Sequence, residues 1–226
     1  MDDFVYDPPM SPYLNIIFQD DDILVLDKPS GLLSVAGRLD IHKDSLQTRV
    51  QSVFPTALVV HRLDMSTSGI MLMALNKESH RRLSRQFQDR QVSKRYLARV
   101  FGVPSTESGS VDLPLICDWL NRPKQKVDYE QGKASLTHWK LLDSNGQTSL
   151  IELEPVTGRS HQLRVHMQHL GHPILGDKFY AHELAFNLSK RLDLHAAYIQ
   201  FTHPVTKQEM EFTIDIQFAS IAPENA

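Results

Sequence analysis

The longest uninterrupted apolar run in the chain is Ile70-Met71-Leu72-Met73-Ala74-Leu75, too apolar to be exposed. Such a run is expected to be a buried strand. Asn76 then supplies a helix cap, and Leu83 and Phe87, four apart, mark the buried side of a helix over about Lys77–Asp89. Before this centre the pattern predicts short strands at Leu14–Phe18 and Ile23–Asp27, a turn at Asp27-Lys28-Pro29-Ser30-Gly31, and an extended piece at Leu32–Val35. A helix over Asp44–Val53 follows, capped by Asp44, with Leu46, Val50 and Val53 on one face and Pro55 ending it. After the centre, Lys94–Val100 alternates as a strand, with Tyr96, Ala98 and Val100 on one face. Gly109–Lys126 reads as an irregular loop. Ala134–Leu142 and Thr148–Glu154 form a hairpin around Ser144-Asn145-Gly146. A helix carrying Leu163, Met167 and Leu170 ends at Gly171. An amphipathic piece at Glu183–Lys190, strands near Leu194–Ala196 and Ile199–Thr202, and a last strand at Glu209–Ile216 complete the pattern, with Ile221–Ala226 as a tail.

Composition narrows the class. The 226 residues are 41% hydrophobic, enough for a real core in one large domain or two small ones. A single cysteine, Cys117, permits neither a disulfide framework nor a cysteine-based zinc site, and fits a reducing cytoplasm. Residues 1–12 lack the basic start and apolar core of a signal peptide. No run approaches the ~20 apolar residues that cross a bilayer.

The net charge of −3 hides an uneven distribution. Residues 1–22 carry Asp2, Asp3, Asp7, Asp20, Asp21 and Asp22 and no Lys or Arg. Residues 77–99 carry Lys77, Arg81, Arg82, Arg85, Arg90, Lys94, Arg95 and Arg99 against Glu78 and Asp89. Phosphate binding follows local potential, so the basic middle fits a nucleic-acid partner; it equally fits a solvated helix face.

Candidate chemistry lies just before the apolar run. In His61-Arg62-Leu63-Asp64-Met65-Ser66-Thr67-Ser68-Gly69, a charged pair precedes small hydroxyl residues and a glycine. A carboxylate at the mouth of a stiff buried strand can be aimed at a substrate. The same residues also fit a surface turn before a core strand. Three other features carry weight: Thr157 to His166 with Arg164, the strand tyrosine Tyr96, and a loop containing Trp119, Arg122 and Lys124. Each has a plain packing alternative.

HRLDMSTSG resembles the catalytic motif of the RluA family of RNA pseudouridine synthases. The likeness extends through Lys28-Pro29-Ser30-Gly31-Leu32, Tyr96 and Thr157 to His166, from about Tyr13 to Ile214. It implies an α+β fold: a single pseudouridine-synthase catalytic domain over residues 13–220, built on a mainly antiparallel central sheet flanked by helices. An acidic tail (1–12) and a C-terminal tail (221–226) flank it, and no S4-type domain is expected. Where the family commonly has proline this chain has Ala36.

The resemblance assigns Asp64 as the catalytic carboxylate. Tyr96 would stack on the target uracil, and Arg164 would pair with the aspartate. Arg62 would fill the place of a flipped-out base. His61, Thr67 and Ser68 would fix the loop. Arg81, Arg85, Lys94, Arg122, Lys124 and Arg159 join Arg62 as RNA-binding candidates. The chemistry demands no metal and no cofactor. The segments DLPLICDW and NRPKQKV resemble one branch of the family, which acts on the anticodon stem-loop of certain tRNAs and on a hairpin of 23S rRNA. The expected partners are therefore tRNA and 23S rRNA, with no membrane, no evident protein partner and a monomeric state.

Two rival classes remain. A non-catalytic RNA-binding module would share the fold and the basic stretches, and a synthase with one of the two RNA substrates is a narrower form of the main reading. A metal hydrolase could use His166, His169 and His172, spaced three apart, but Gly171 and Pro173 break the helix there and no HExxH accompanies them. No GxSxG elbow, GxGxxG or P-loop is present.

Overall fold

In the computed structural model, which describes residues 5–216 and 218, the chain divides into two compact units. The first comprises residues 1–93 and 196–214, the second residues 94–195 and 215–226.

The first unit contains β1 (Ile16–Gln19), β2 (Ile23–Lys28), helix α1 (Leu46–Gln51), β3 (Leu58–Val59), β4 (Ser68–Ala74) and helix α2 (Lys77–Gln88). The second contains β5 (Ser93–Phe101, within the unit from Lys94), β6 (Ser108–Asp112), β7 (Leu115–Cys117), β8 (Gln125–Val127), β9 (Leu136–Ser144), β10 (Thr148–Pro155), α3 (Gln162–His169) and α4 (Glu183–Asn187). The chain then returns to the first unit through β11 (Leu194–Thr202), which enters it at Ala196, and β12 (Glu209–Thr213).

The apolar runs of β2 and β4 have a common cause. The two strands pair antiparallel, Ile23 opposite Ala74 through Lys28 opposite Gly69, and lie inside the order β1-β2-β4-β11. Alternate residues feed two separate cores. Ile23, Val25, Ile70, Leu72 and Ala74 pack with Leu83 of α2 and with Ile199 and Phe201. Leu24, Leu26, Met71 and Met73 pack with Leu46, Val50 and Ala57. A central strand with a core on each side has no solvent face, so neither parity tolerates a polar residue without a bonded partner.

Gly69 reflects how closely β4 and β11 approach. Its φ is +112°, and a Cβ there would stand 2.3 Å from the Ala196 carbonyl oxygen. Only glycine avoids both the strained backbone and the clash.

The second unit runs β5-β10-β9-β6, with antiparallel registers between β5 and β10, β10 and β9, and β9 and β6. Its core joins Ala98, Val100, Ile151, Leu153 and Trp139 to Leu163 and Met167 of α3. Every residue of α3 from Gln162 to Met167 is buried. The expected α+β architecture, antiparallel sheet with few helices, holds in each unit.

Several local expectations are corrected. Helix α1 is capped by Ser45, not Asp44: the Thr48 N–H donates to Ser45 Oγ and the Ser45 N–H to Thr48 Oγ1, a reciprocal capping box. Asp44 instead accepts two bonds from the buried Arg49 guanidinium, at 2.8 and 2.6 Å. Val53 lies beyond the helix and is exposed. The piece 32–35 forms no strand, because its backbone groups bond to the start of α1, to Tyr6 and to Lys28. The segment 109–126 is not an irregular loop: it holds the end of β6, the antiparallel β7–β8 hairpin and a single 3-10 turn, Trp119–Asn121. Helix α4 buries Ala185 while Leu184 and Phe186 stay exposed. The tail 221–226 lies outside the described residues.

Tyr6, Pro9 and Tyr13 are tied to the α1 region. Tyr6 Oη donates to the Asp44 carbonyl and accepts the Leu33 N–H. Arg49 donates to the carbonyls of Pro9 and Tyr13 and lies 4.7 Å from the Tyr13 ring centre.

Candidate active site

The loop carrying Asp64 is gripped by residues 28–34 on both sides of the carboxylate. The Ser34 hydroxyl accepts the Leu63 N–H at 3.1 Å and donates to the Leu63 carbonyl at 2.6 Å. The Met65 carbonyl accepts the Gly31 N–H at 2.9 Å and the Lys28 ammonium at 3.0 Å. Ser30 Oγ donates to the Ser66 carbonyl at 2.7 Å. The Thr67 N–H closes a turn onto the Asp64 carbonyl, and β4 begins one residue later. Asp64 thus sits half-buried in a backbone fixed at Leu63, Met65 and Ser66.

Lys28 completes the clasp. It is fully buried at the end of β2, and its three ammonium hydrogens are matched by three carbonyls, those of Pro29, Leu32 and Met65. A buried ammonium persists only where such acceptors replace water. Sequence reasoning missed Lys28, Ser30 and Ser34 as holders of Asp64; the Lys-Pro-Ser-Gly turn was the available signal.

His61 and Arg62 precede the grip. The Leu72 N–H donates to His61 Nε2 at 2.9 Å, and the imidazole stacks on Phe87 of α2 with ring centres 4.6 Å apart. Accepting that bond leaves Nε2 unprotonated, so His61 is a structural anchor between the loop, β4 and α2. Arg62 is exposed, and Thr67 and Ser68 are buried.

On α2, Arg81 and Arg82 share Glu78 at 2.8 and 2.6 Å, and Arg85 faces Asp89 at 3.3 Å. The two guanidinium partners hold the Glu78 carboxyl down to about 2. Arg81 and Arg85 remain 76% and 80% exposed, accessible to a polyanion despite these pairs.

In the second unit, Tyr96 on β5 is half-buried against the core beside Leu153 of β10. Burial pushes the Lys94 ammonium below its usual value. Arg164 projects from α3 into a bidentate pair with Asp177: Nε to Oδ2 and Nη2 to Oδ1, both at 2.7 Å. Both side chains are buried, and Asp177 also accepts the Phe179 N–H at 2.9 Å. The guanidinium carbon lies 5.3 and 5.1 Å from the ring centres of Phe179 and Tyr180. Sequence reasoning did not foresee Asp177. It orients Arg164 and supplies its counter-charge in a buried setting.

The remaining basic candidates are more peripheral. Arg159 is exposed and donates to the Ala134 carbonyl. The Arg122 guanidinium carbon lies over Trp119, 3.3 Å from the ring centre, and Lys124 is partly exposed on the same hairpin.

His166, His169 and His172 do not form a group with ligand-like spacing among the described residues. His166 Nδ1 and Nε2 face Thr137 Oγ1 at 2.9 Å and the Leu113 carbonyl at 3.3 Å; His172 Nδ1 faces the Phe101 carbonyl. Burial holds His166 below its usual pKa. Among the described residues, one group has ligand-like spacing: Asp20, Asp22 and His203. Its atoms are engaged with one another and with backbone N–H groups, Asn76 and Ser79.

Comparison with known proteins shows the family of the chain. Residues 22–169 match the family model described as RNA pseudouridylate synthase. The dual-specificity RNA pseudouridine synthase RluA of Salmonella typhimurium (strain LT2) is 54% identical over 214 residues, 94% of this chain and 98% of that protein. The protein of the same name from Escherichia coli (strain K12) is equally similar, and that of Vibrio vulnificus is 57% identical over 204 residues, 88% of this chain and 82% of its own. Among solved structures, human RNA Pseudouridylate Synthase Domain Containing 1 superposes with a TM-score of 0.77 at 31% identity, covering 93% of this chain and 86% of that one. Human RNA Pseudouridylate Synthase Domain Containing 4 gives 0.73 at 26%, covering 90% and 88%. The chain belongs to the RNA pseudouridylate synthase family and is an isomerase that converts uridine to pseudouridine in RNA.

Proposed function

We propose that this synthase modifies a flipped-out loop uridine in two RNAs, the anticodon stem-loop of tRNA and a hairpin of 23S rRNA, with Asp64 as its catalytic carboxylate. The reaction breaks the ribose bond to N1 of uracil, turns the base and rejoins the ribose to C5. Attack on the sugar, addition to the ring and proton abstraction to a glycal all require Asp64 ionised and aimed. The observation that carries the assignment is the clasp: Leu63, Met65 and Ser66 are each fixed by residues 28–34, so the intervening carboxylate has little freedom.

Tyr96 offers an aromatic face and a phenol for the extruded uracil, and Arg164 offers a permanent positive charge. Extruding a uridine from a stack costs a few kcal/mol, least in a loop. Arg62, exposed immediately before the clasp, suits the vacated place, because a planar guanidinium both stacks and meets phosphate. Arg81, Arg85, Lys94, Arg122, Lys124 and Arg159 serve RNA backbone contact. No helix of the described residues is long and apolar enough to cross a membrane. Action as a monomer in the cytoplasm completes the proposal.

RNA carrying tritium at uracil C5 tests it, since forming the new bond releases the label. Wild-type protein releases tritium from both stem-loops, and Asp64→Asn releases none while still binding. Binding without release by the wild type overturns the catalytic assignment. Pseudouridine mapping in a strain lacking the protein shows loss at both RNAs; loss at one reduces the proposal to a single substrate.

A further inference from the structure

We propose that Tyr180 is a positioning residue that couples seating of RNA on the β7–β8 hairpin to the orientation of Arg164. The inference rests on the functional reading above, in which the hairpin meets RNA and Arg164 serves the reaction.

The Tyr180 hydroxyl joins two elements that are otherwise far apart in sequence. It accepts the backbone N–H of Gln125, the first residue of β8, at 2.7 Å. It also lies 2.7 Å from Nδ1 of His161, the residue that opens α3. The ring beneath is 7% exposed and packs with Leu115 of β7 and Val165 of α3, and Val127 of β8 packs on the same group. The same ring faces the Arg164 guanidinium at 5.1 Å, and the Tyr180 N–H reaches Asp177 Oδ1, the oxygen that holds Arg164 Nη2. A shift of the hairpin base therefore reaches the start of the helix and the arginine through one side chain.

The far end of that hairpin is shaped for contact. Trp119 is 67% exposed and Leu120 96% exposed, with the Arg122 guanidinium stacked on the indole. An exposed aromatic with a stacked cation is the composition that receives unpaired bases and their phosphates. His161 sits at φ +54°, a left-handed conformation that non-glycine residues rarely hold without support. The Tyr180 bond is such a support, and it lies three residues before Arg164.

The test is steady-state tritium release with Tyr180→Phe, Trp119→Ala and the double variant. Phenylalanine keeps the ring and its packing, so folding is retained. Losing the two hydroxyl links lowers kcat about tenfold and raises KM severalfold. Trp119→Ala raises KM and lowers kcat in the wild-type background; in the Tyr180→Phe background it changes KM alone. Wild-type kinetics for Tyr180→Phe overturn the proposal, as do kcat losses that multiply independently in the double variant. His161→Gly, which accepts the left-handed backbone and removes the bond, gives the same kcat loss if Tyr180→Phe fails to fold. A wild type without turnover overturns the functional reading and this coupling with it; an active wild type with unaltered variants overturns the coupling alone.

Discussion

The Ser34 hydroxyl holds both backbone polar groups of Leu63, accepting its N–H at 3.1 Å and donating to its carbonyl at 2.6 Å, across 29 residues of sequence. Ser34 and Leu63 are both buried, so water cannot replace either bond. Ser34→Ala leaves a buried donor and acceptor unmet and destabilises the protein by about 2 kcal/mol. Because Leu63 adjoins Asp64, kcat falls while KM for RNA changes little. Denaturant melts and tritium-release kinetics check the two effects; a normal kcat would show that the clasp does not aim the carboxylate.

Lys28→Met replaces a buried ammonium by an apolar side chain of similar length. The carbonyls of Pro29, Leu32 and Met65 then lose a charged donor together. The expected loss is about 3 kcal/mol, more than for Ser34→Ala, because bonds to a charged group are the stronger kind. Thermal unfolding of the two variants side by side gives the order, and a Lys28→Met protein as stable as wild type contradicts it.

Gly69→Ala places a methyl group 2.3 Å from the Ala196 carbonyl and forces φ +112° on an L-residue. The strands must separate, which costs about 3 kcal/mol or more and lowers soluble yield. Gly146→Ala serves as the comparison, since its Cβ would meet nothing within 4 Å and its strain is conformational alone. Equal melting temperatures for the two variants would rule out the steric argument.

Asp22 links stability to pH. Its Oδ1 accepts Asn76 Nδ2 and Ser79 Oγ, both at 2.7 Å, and these bonds hold the carboxyl below its usual value. A folded pKa below the unfolded one means the contribution is fully present above the unfolded value, about 4, and is lost as pH falls through the folded value. The melting temperature therefore declines on acidification below about 4. Asp22→Asn keeps an acceptor for the cap of α2 without the titrating charge, and gives a shallower acid limb. Parallel acid limbs would remove Asp22 from the account.

Much of the frame was legible along the chain because its causes are local. The unbroken apolar run of β4 announced a buried strand, and two cores flank it. Asn76 caps α2 by accepting the Ser79 N–H, as its position predicted. Asn145-Gly146 turns the β9–β10 hairpin, with Gly146 at φ +89°. Where two local signals competed, periodicity gave way. Asp44 looked like a cap, but Ser45 forms the capping box while Asp44 pairs with Arg49.

The residue types of HRLDMSTSG fitted a surface turn as well as a site; it was the resemblance of the motif, with Tyr96 and Arg164, to a known family that pointed to the chemistry. What holds those groups was decided by the tertiary structure. Ser34 reaches Leu63, Asp177 fixes Arg164 and Tyr180 joins Gln125 to His161 only when segments 13 to 55 residues apart are brought into contact. Periods of two and 3.6 residues report which face of an element is buried and nothing about which distant backbone group a hydroxyl or carboxylate will meet. That choice belongs to packing, where a buried polar group must find a partner or forfeit stability.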